Sequence, residues 1–250
     1  MNRGRGGLGS RDRSVSVPTF VPGHWRTRGT AHRRFGAAAG FALGLALLGA
    51  VPAHAQLGVQ AAGVAAMAEH RVNAGRGVEQ SSGTLLGAEG MLFIGTRMEF
   101  FVHAAGGKLT ADSAFADDRD VGEAEVRASV LTVPWLALHA GFSVRSFGAA
   151  LARQRWTALR FGGEARLAFV GGVVTGVLRG EILPGVTVSG LERPSRAFAA
   201  GAGLEYRAGV LAAGLRYDLE RYDFPLVAGV ERREQLSSLK AHVGLRLGRR

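Results

Sequence analysis

The sequence predicts an all-β fold, a closed antiparallel up-and-down barrel of about ten strands that crosses a bilayer. Three observations carry it. Apolar and polar residues alternate with period two over runs of 10 to 13 residues, where strands of soluble proteins run about five or six. The runs are joined alternately by very short turns and by longer polar segments. An apolar, cleavable leader precedes them.

The leader comes first in the chain. WRTRGTAHRR (25–34) is a positive stretch, FGAAAGFALGLALLGAV (35–51) an apolar one, and PAHA (52–55) places Ala53 and Ala55 at the small-residue positions of a cleavage site. Residues 25–55 are therefore expected to be a signal peptide cut after Ala55. Residues 1–24, polar and rich in Gly and Arg, read as a disordered extension or a start placed too early. The barrel domain is expected over 56–250.

Composition narrows the alternatives. With no cysteine there is neither a disulfide framework nor a thiolate metal site. The net charge of +11 suggests a nucleic-acid partner until it is located. Residues 1–55 hold eight Arg and one Asp, which leaves 23 basic and 19 acidic residues interleaved with apolar ones in 56–250. No phosphate-tracking patch emerges, and nucleic acid is not an expected partner. The 38 glycines are roughly twice average usage and sit inside the alternating runs, unlike collagen or a linker.

Strands are expected at 57–69, 83–93, 96–106, 121–133, 135–147, 156–170, 173–184, 196–208, 210–221 and 236–248. Residues 126–146, VRASVLTVPWLALHAGFSVRS, are long and apolar enough for a membrane helix. A helix would carry Arg127, His139 and Arg145 into lipid, whereas two strands meeting at Pro134 place Arg127, Ser129, His139 and Arg145 on one face. Tight reversals are expected at Ile94-Gly95-Thr96, Pro134, Gly171-Gly172 and Gly209, and long loops at 70–82, 107–120, 148–155, 185–195 and 222–235. Five long loops separated by four short turns put both termini at one rim, and hence an even strand number. Eight strands is the alternative count. Alternation alone does not say which face is outside, because a soluble barrel would bury its apolar parity.

The hairpin GAGLEYRAGVLAAGLRYDLERYDF (201–224) resembles those of small bacterial outer-membrane β-barrel proteins of eight to twelve strands. The resemblance is one of pattern over 56–250. It implies an outer-membrane address and, as partners, outer-membrane lipid, lipopolysaccharide and the outer-membrane assembly machinery. Such proteins usually end on an aromatic residue, whereas this chain ends LRLGRR.

The charged parity supplies Arg97, Arg127, Arg145, Arg160, Arg166, Arg179, Arg207, Arg216, Lys240 and Arg246 against Glu89, Glu99, Glu123, Glu125, Glu164, Glu181, Glu205, Asp218 and Glu220. Nearly balanced charge in a lumen this narrow predicts a paired plug, since each unpaired buried ion costs several kcal/mol. A narrow ion pore lined by the same residues is the alternative. Asp112, Asp117, Asp118 and Asp120 cluster in one loop, but Asp118-x-Asp120-x-Gly122 lacks the third ligand of a calcium loop. His103 near those aspartates loosely suits an omptin-like protease, and Ser143 with His139 a lipid A-modifying hydrolase. Neither forms a motif, so no catalytic, metal or cofactor residue is assigned. The expected role is structural or surface-interacting, with a filled lumen.

Overall fold

The computed structural model describes residues 57–75, 77–112, 117–149, 153–227 and 229–248. The expected signal peptide, its cleavage site, the extension before it and the terminal Arg249-Arg250 lie outside the described residues. Eleven strands run β1 Leu57–Asn73, β2 Val78–Ile94, β3 Met98–Ala111, β4 Arg119–Val133, β5 Leu136–Gly148, β6 Arg153–Phe169, β7 Val174–Ile182, β8 Thr187–Val188, β9 Arg196–Ala208, β10 Leu211–Asp223 and β11 Arg233–Gly248. Ten of them, all but β8, form the wall. Each pairs antiparallel with its neighbours, and β1 closes the ring on β11 with Gly58 opposite Gly248. The described ends of β1 and β11 thus share the short-turn rim, as the even count requires.

The tight reversals fall where expected. Gly95, in a three-residue turn, and Gly209, in a two-residue one, adopt φ of 60° and 58°, the left-handed conformation that glycine supplies without strain. Residues 126–146 are the β4–β5 hairpin reversing at Pro134-Trp135, with a bulge between Leu131 and Val133. Most of the expected strands are too short at the loop side, although β9 keeps the expected bounds 196–208 and β7 stops two residues before the expected 184. β1 and β2 run on as 17-residue strands, so the expected loop 70–82 contracts to 74–77. At 3.3 Å per residue and a tilt near 40°, such a strand rises about 43 Å, well past an apolar band of about 25 Å. Beyond that band the outward positions turn polar, as Arg71 and Asn73 do, while Val72 and His70 stay buried inside, so the lipid-facing parity that marks a strand is lost.

β8 was not expected. β7 stops at Ile182, before Pro184 and Gly185, leaving the loop-side half of β6 paired on its β5 edge alone. The following segment folds back onto it through Trp156↔Val188 and Thr157↔Thr187.

Which face is outside is decided here. Val126 and Val130 are about half exposed while Arg127 between them is 5% exposed, and the pattern recurs around the ring: Leu138, Phe161, Leu178, Leu204, Leu215 and Leu245 point outward. Apolar residues cover the wall and ions fill the centre. Water would penalise so large a contiguous apolar surface, whereas lipid accepts it and the closed ring leaves no edge unpaired. The fold is a transmembrane β-barrel. Its glycines allow strands to approach closely: a Cβ on Gly244 would lie 2.1 Å from the Ala61 carbonyl oxygen.

Candidate functional site: the filled lumen

Inward positions come at every second residue, so charges from strands far apart in sequence meet across the axis. Near the short-turn rim Arg166 of β6 reaches Glu99 of β3, each of its two terminal nitrogens 2.6 Å from one carboxylate oxygen. This two-pronged geometry is the strongest an arginine makes with a carboxylate. Glu164 lies 2.7 Å from the same guanidinium. Arg246 stacks 4.2 Å over the Phe93 ring, and His242 Nδ1 lies 3.4 Å from Glu89.

At mid-barrel the hub is Glu181, whose side chain is fully buried. Its Oε1 accepts from His139 Nε2 at 2.9 Å and its Oε2 from Arg160 Nε at 2.8 Å. Arg160 also donates to Glu220 Oε1 at 2.7 Å. The other oxygen of Glu220 accepts from Arg145 at 2.7 Å and from the Tyr222 hydroxyl at 2.8 Å. Arg145 continues to Glu123 at 3.0 Å, which His103 and Lys240 approach at 3.2 and 3.6 Å. Asp218 gathers Arg179 at 2.7 Å and Arg216 at 3.1 Å. Arg127, 3.7 Å from both Glu125 and Glu181, stacks 4.7 Å over Phe101.

Towards the loops the filling turns apolar. Trp156 packs edge-on against Phe147, Tyr222 and Phe224 at ring separations of 6.2, 4.9 and 6.1 Å, beside Leu109, Val121 and, from the β7–β8 segment, Leu183 and Val186. His70 stacks on Phe147 at 4.7 Å. Its Nδ1 accepts from Arg119 at 3.1 Å, because a guanidinium only donates, so Nε2 carries the proton given to Glu234 at 2.8 Å. A cavity of about 50 Å³ between the ionic and apolar layers is lined by residues including His103, Glu123, Arg145, Leu109 and Lys240. It holds about four waters at most, too few for a column along the axis.

The expected paired plug is therefore present, with two differences. Arg97 sits exposed in the β2–β3 turn rather than in the lumen. Its position next to the tight reversal takes it off the strand face. The aromatic layer was not anticipated, although Leu109, Val121, Phe147, Trp156 and Tyr222 all share the inward parity of their strands, which was the available signal.

The residues weighed for chemistry are not brought together. His103 points at Glu123 in the lumen. Asp112 instead accepts from Ser82 Oγ at 3.0 Å, and Asp118 pairs with Lys108 at 2.6 Å and accepts from the Ala111 amide at 3.0 Å. That lysine, and then the amide, hold the Asp118 carboxyl below its usual range. Asp117 and Asp120 are exposed. His139 and Ser143 share a face of β5 but stand four residues, about 13 Å, apart. Ser143 accepts from Arg160 at 3.4 Å while His139 engages Glu181, so no base reaches that hydroxyl.

No protein-family model matches the chain, and comparison with curated proteins finds no match. Among solved structures the chain is similar to the outer membrane protease OmpT from Escherichia coli, with a TM-score of 0.46 and 9% identity over 78% of this chain and 97% of that one. It is also similar to the translocator domain of the autotransporter NalP from Neisseria meningitidis, at 0.44 and 14% over 84% and 96%. A third likeness is to Ail, the attachment invasion locus protein of Yersinia pestis, at 0.33 and 11% over 76% and 99%. In fold, the chain resembles bacterial outer-membrane β-barrels.

Proposed function

We propose that the chain is a small integral protein of the bacterial outer membrane with a structural or surface-interaction role and a lumen closed by its own side chains. The observation that carries this reading is the inside-out distribution of polarity, a lipid-like wall around an ionic and aromatic filling. Export follows from residues 25–55, with cleavage between Ala55 and Gln56. A closed barrel is also the product of the outer-membrane assembly machinery, and its wall then meets outer-membrane lipid and lipopolysaccharide. Catalysis is not part of the proposal, since no nucleophile, base and orienting acid converge in the lumen or at the described rim.

Membrane fractionation, a gel comparing boiled with unboiled protein, and N-terminal sequencing test address and processing together. The expected result is an outer-membrane protein that begins at Gln56 and changes mobility on boiling. A monomer extracted without detergent, or a mature chain retaining Phe35, would overturn it. Incubation with peptides and with lipopolysaccharide should leave both unmodified. Cleavage or deacylation that disappears in His103→Ala, His139→Ala or Asp118→Ala would replace this reading with an enzymatic one.

A further inference from the structure

The outer wall changes character just past the apolar belt on the loop side. On β6, β9 and β10 the last outward apolar residues are Leu159, Phe198 and Leu219, and one to three outward positions farther stand Arg155 and Arg153, Arg196 and Arg221. Arg233 on β11 and Arg71 on β1 continue the set. Strand register arranges these side chains in rows. Arg196 and Arg233 both lie directly opposite Asp223, and Arg221 and Arg71 both lie opposite Gln235. Each row therefore sets two arginines about 10 Å apart, on strands separated by one other strand.

Their charge is only partly answered. Asp223 serves both Arg221 at 3.1 Å and Arg233 at 2.9 Å, Glu231 lies 3.2 Å from Arg233, and Arg71 pairs with Glu69 at 2.9 Å. Arg153, Arg155 and Arg196 are exposed and form no ion pair among the described residues. The opposite sector of the same rim is acidic, with Asp112, Asp117, Asp118 and Asp120 exposed around Lys108. The positive surface is thus one side of the barrel, at the height where acyl chains give way to headgroups.

We infer that this arginine sector binds the phosphate groups of a phosphorylated glycolipid in the outer leaflet. Guanidinium groups donate in a planar fork that matches phosphate oxygens, and they do so best where little water competes, as at the edge of an apolar belt. Basic residues held at a membrane surface are drawn to anionic lipid. The inference rests on the outer-membrane reading above, with the loop side facing outward.

The test uses the full mature barrel folded in detergent, its folding checked by the mobility change on boiling. Binding is measured by native mass spectrometry to purified lipid A with its phosphates and to the same lipid dephosphorylated. The triple variant Arg153→Gln/Arg155→Gln/Arg196→Gln should bind phosphorylated lipid A on the order of 10- to 100-fold more weakly, and Arg196→Gln alone about fivefold more weakly. The control Asp117→Asn/Asp120→Asn on the acidic sector should match the unsubstituted protein. Dephosphorylated lipid A should bind the unsubstituted barrel no better than the phosphorylated lipid binds the triple variant. Equal binding of phosphorylated lipid A by a correctly folded triple or single variant, or equal binding of both lipids by the unsubstituted barrel, would overturn the inference while leaving the barrel intact. A chain that shows no mobility change and needs no detergent would instead overturn the outer-membrane reading.

Discussion

Replacing Arg160 by methionine removes the cation that joins Glu181 and Glu220, two buried carboxylates of the lumen. The side chain of Arg160 is 2% exposed and holds Glu181 at 2.5 Å and Glu220 at 2.7 Å. After the change Glu220 retains Arg145 at 2.7 Å, and Glu181 retains His139 at 2.9 Å but only distant help from Arg179 at 3.5 Å and Arg127 at 3.7 Å. Breaking a buried pair from one side costs about 3–5 kcal/mol because it strands the remaining charge. The surviving partners place Arg160→Met near the lower end, about 3 kcal/mol. Adding Glu181→Gln removes the stranded charge and should recover about 1 kcal/mol or more, a coupling that independent sites would not show. The assay is the urea midpoint of reversible folding into detergent micelles or short-chain lipid bilayers. Destabilisation below about 1 kcal/mol, or simple additivity in the double variant, would mean that water screens these ions and that the lumen is not the dry network described here.

Three further outcomes follow from the same structure. Trp156→Ala, which empties the centre of the aromatic layer, should cost about 3–5 kcal/mol in the same urea assay; a near-neutral result would place that layer outside the folded barrel. Gly244→Ala pushes a methyl into the backbone of Ala61 and Ala62 and should destabilise by about 1–3 kcal/mol, whereas Gly63→Ala, whose Cβ meets nothing within 4 Å, should be tolerated; equal effects would refute the close approach of β1 and β11. Because Asp118 has its carboxyl lowered in the folded chain by Lys108 and the Ala111 amide, their linkage is present above the ordinary carboxylate range and is lost as pH falls through the depressed folded value; protection of the Ala111 amide relative to its intrinsic exchange rate should fall there, and Asp118→Asn should show the lower protection at neutral pH; equal protection in both at neutral pH would refute the linkage.

The wall was legible in the sequence because its physics is periodic. Val126, Arg127, Ala128, Ser129 and Val130 state by alternation alone which side chains share a face, and the glycines at Gly95 and Gly209 mark reversals by the conformation they permit. Alternation alone did not fix which face is outside, since it suits a barrel turned the other way; long strands, alternating short and long connections and the leader pointed to lipid, and Arg127 buried between exposed valines agrees. The strand ends were lost at 70–82, where the outward positions turn polar, as at Arg71 and Asn73, and the apolar residue Val72 points inward instead, so the lipid-facing parity no longer marks the strand. β8 is two residues long and exists only because β7 ends early at Ile182, a tertiary cause that leaves no local mark. The ionic composition of the lumen could be read, but not its partners: Arg160 and Glu220 are 60 residues apart and meet through the curvature and register of the whole ring. The contacts of His139 and Ser143 were illegible for the related reason that sharing a face is not the same as being within reach: one engages Glu181 and the other Arg160.

The central claim, a lumen closed by its own side chains, is tested most directly by single-channel recording of the refolded protein in planar bilayers. The ionic network and the aromatic layer together predict a flat baseline at physiological salt across the voltage range that intact bilayers tolerate. Discrete, ion-selective current steps whose size changes when Arg127 or Arg216 is neutralised would contradict it and identify the chain as a narrow pore.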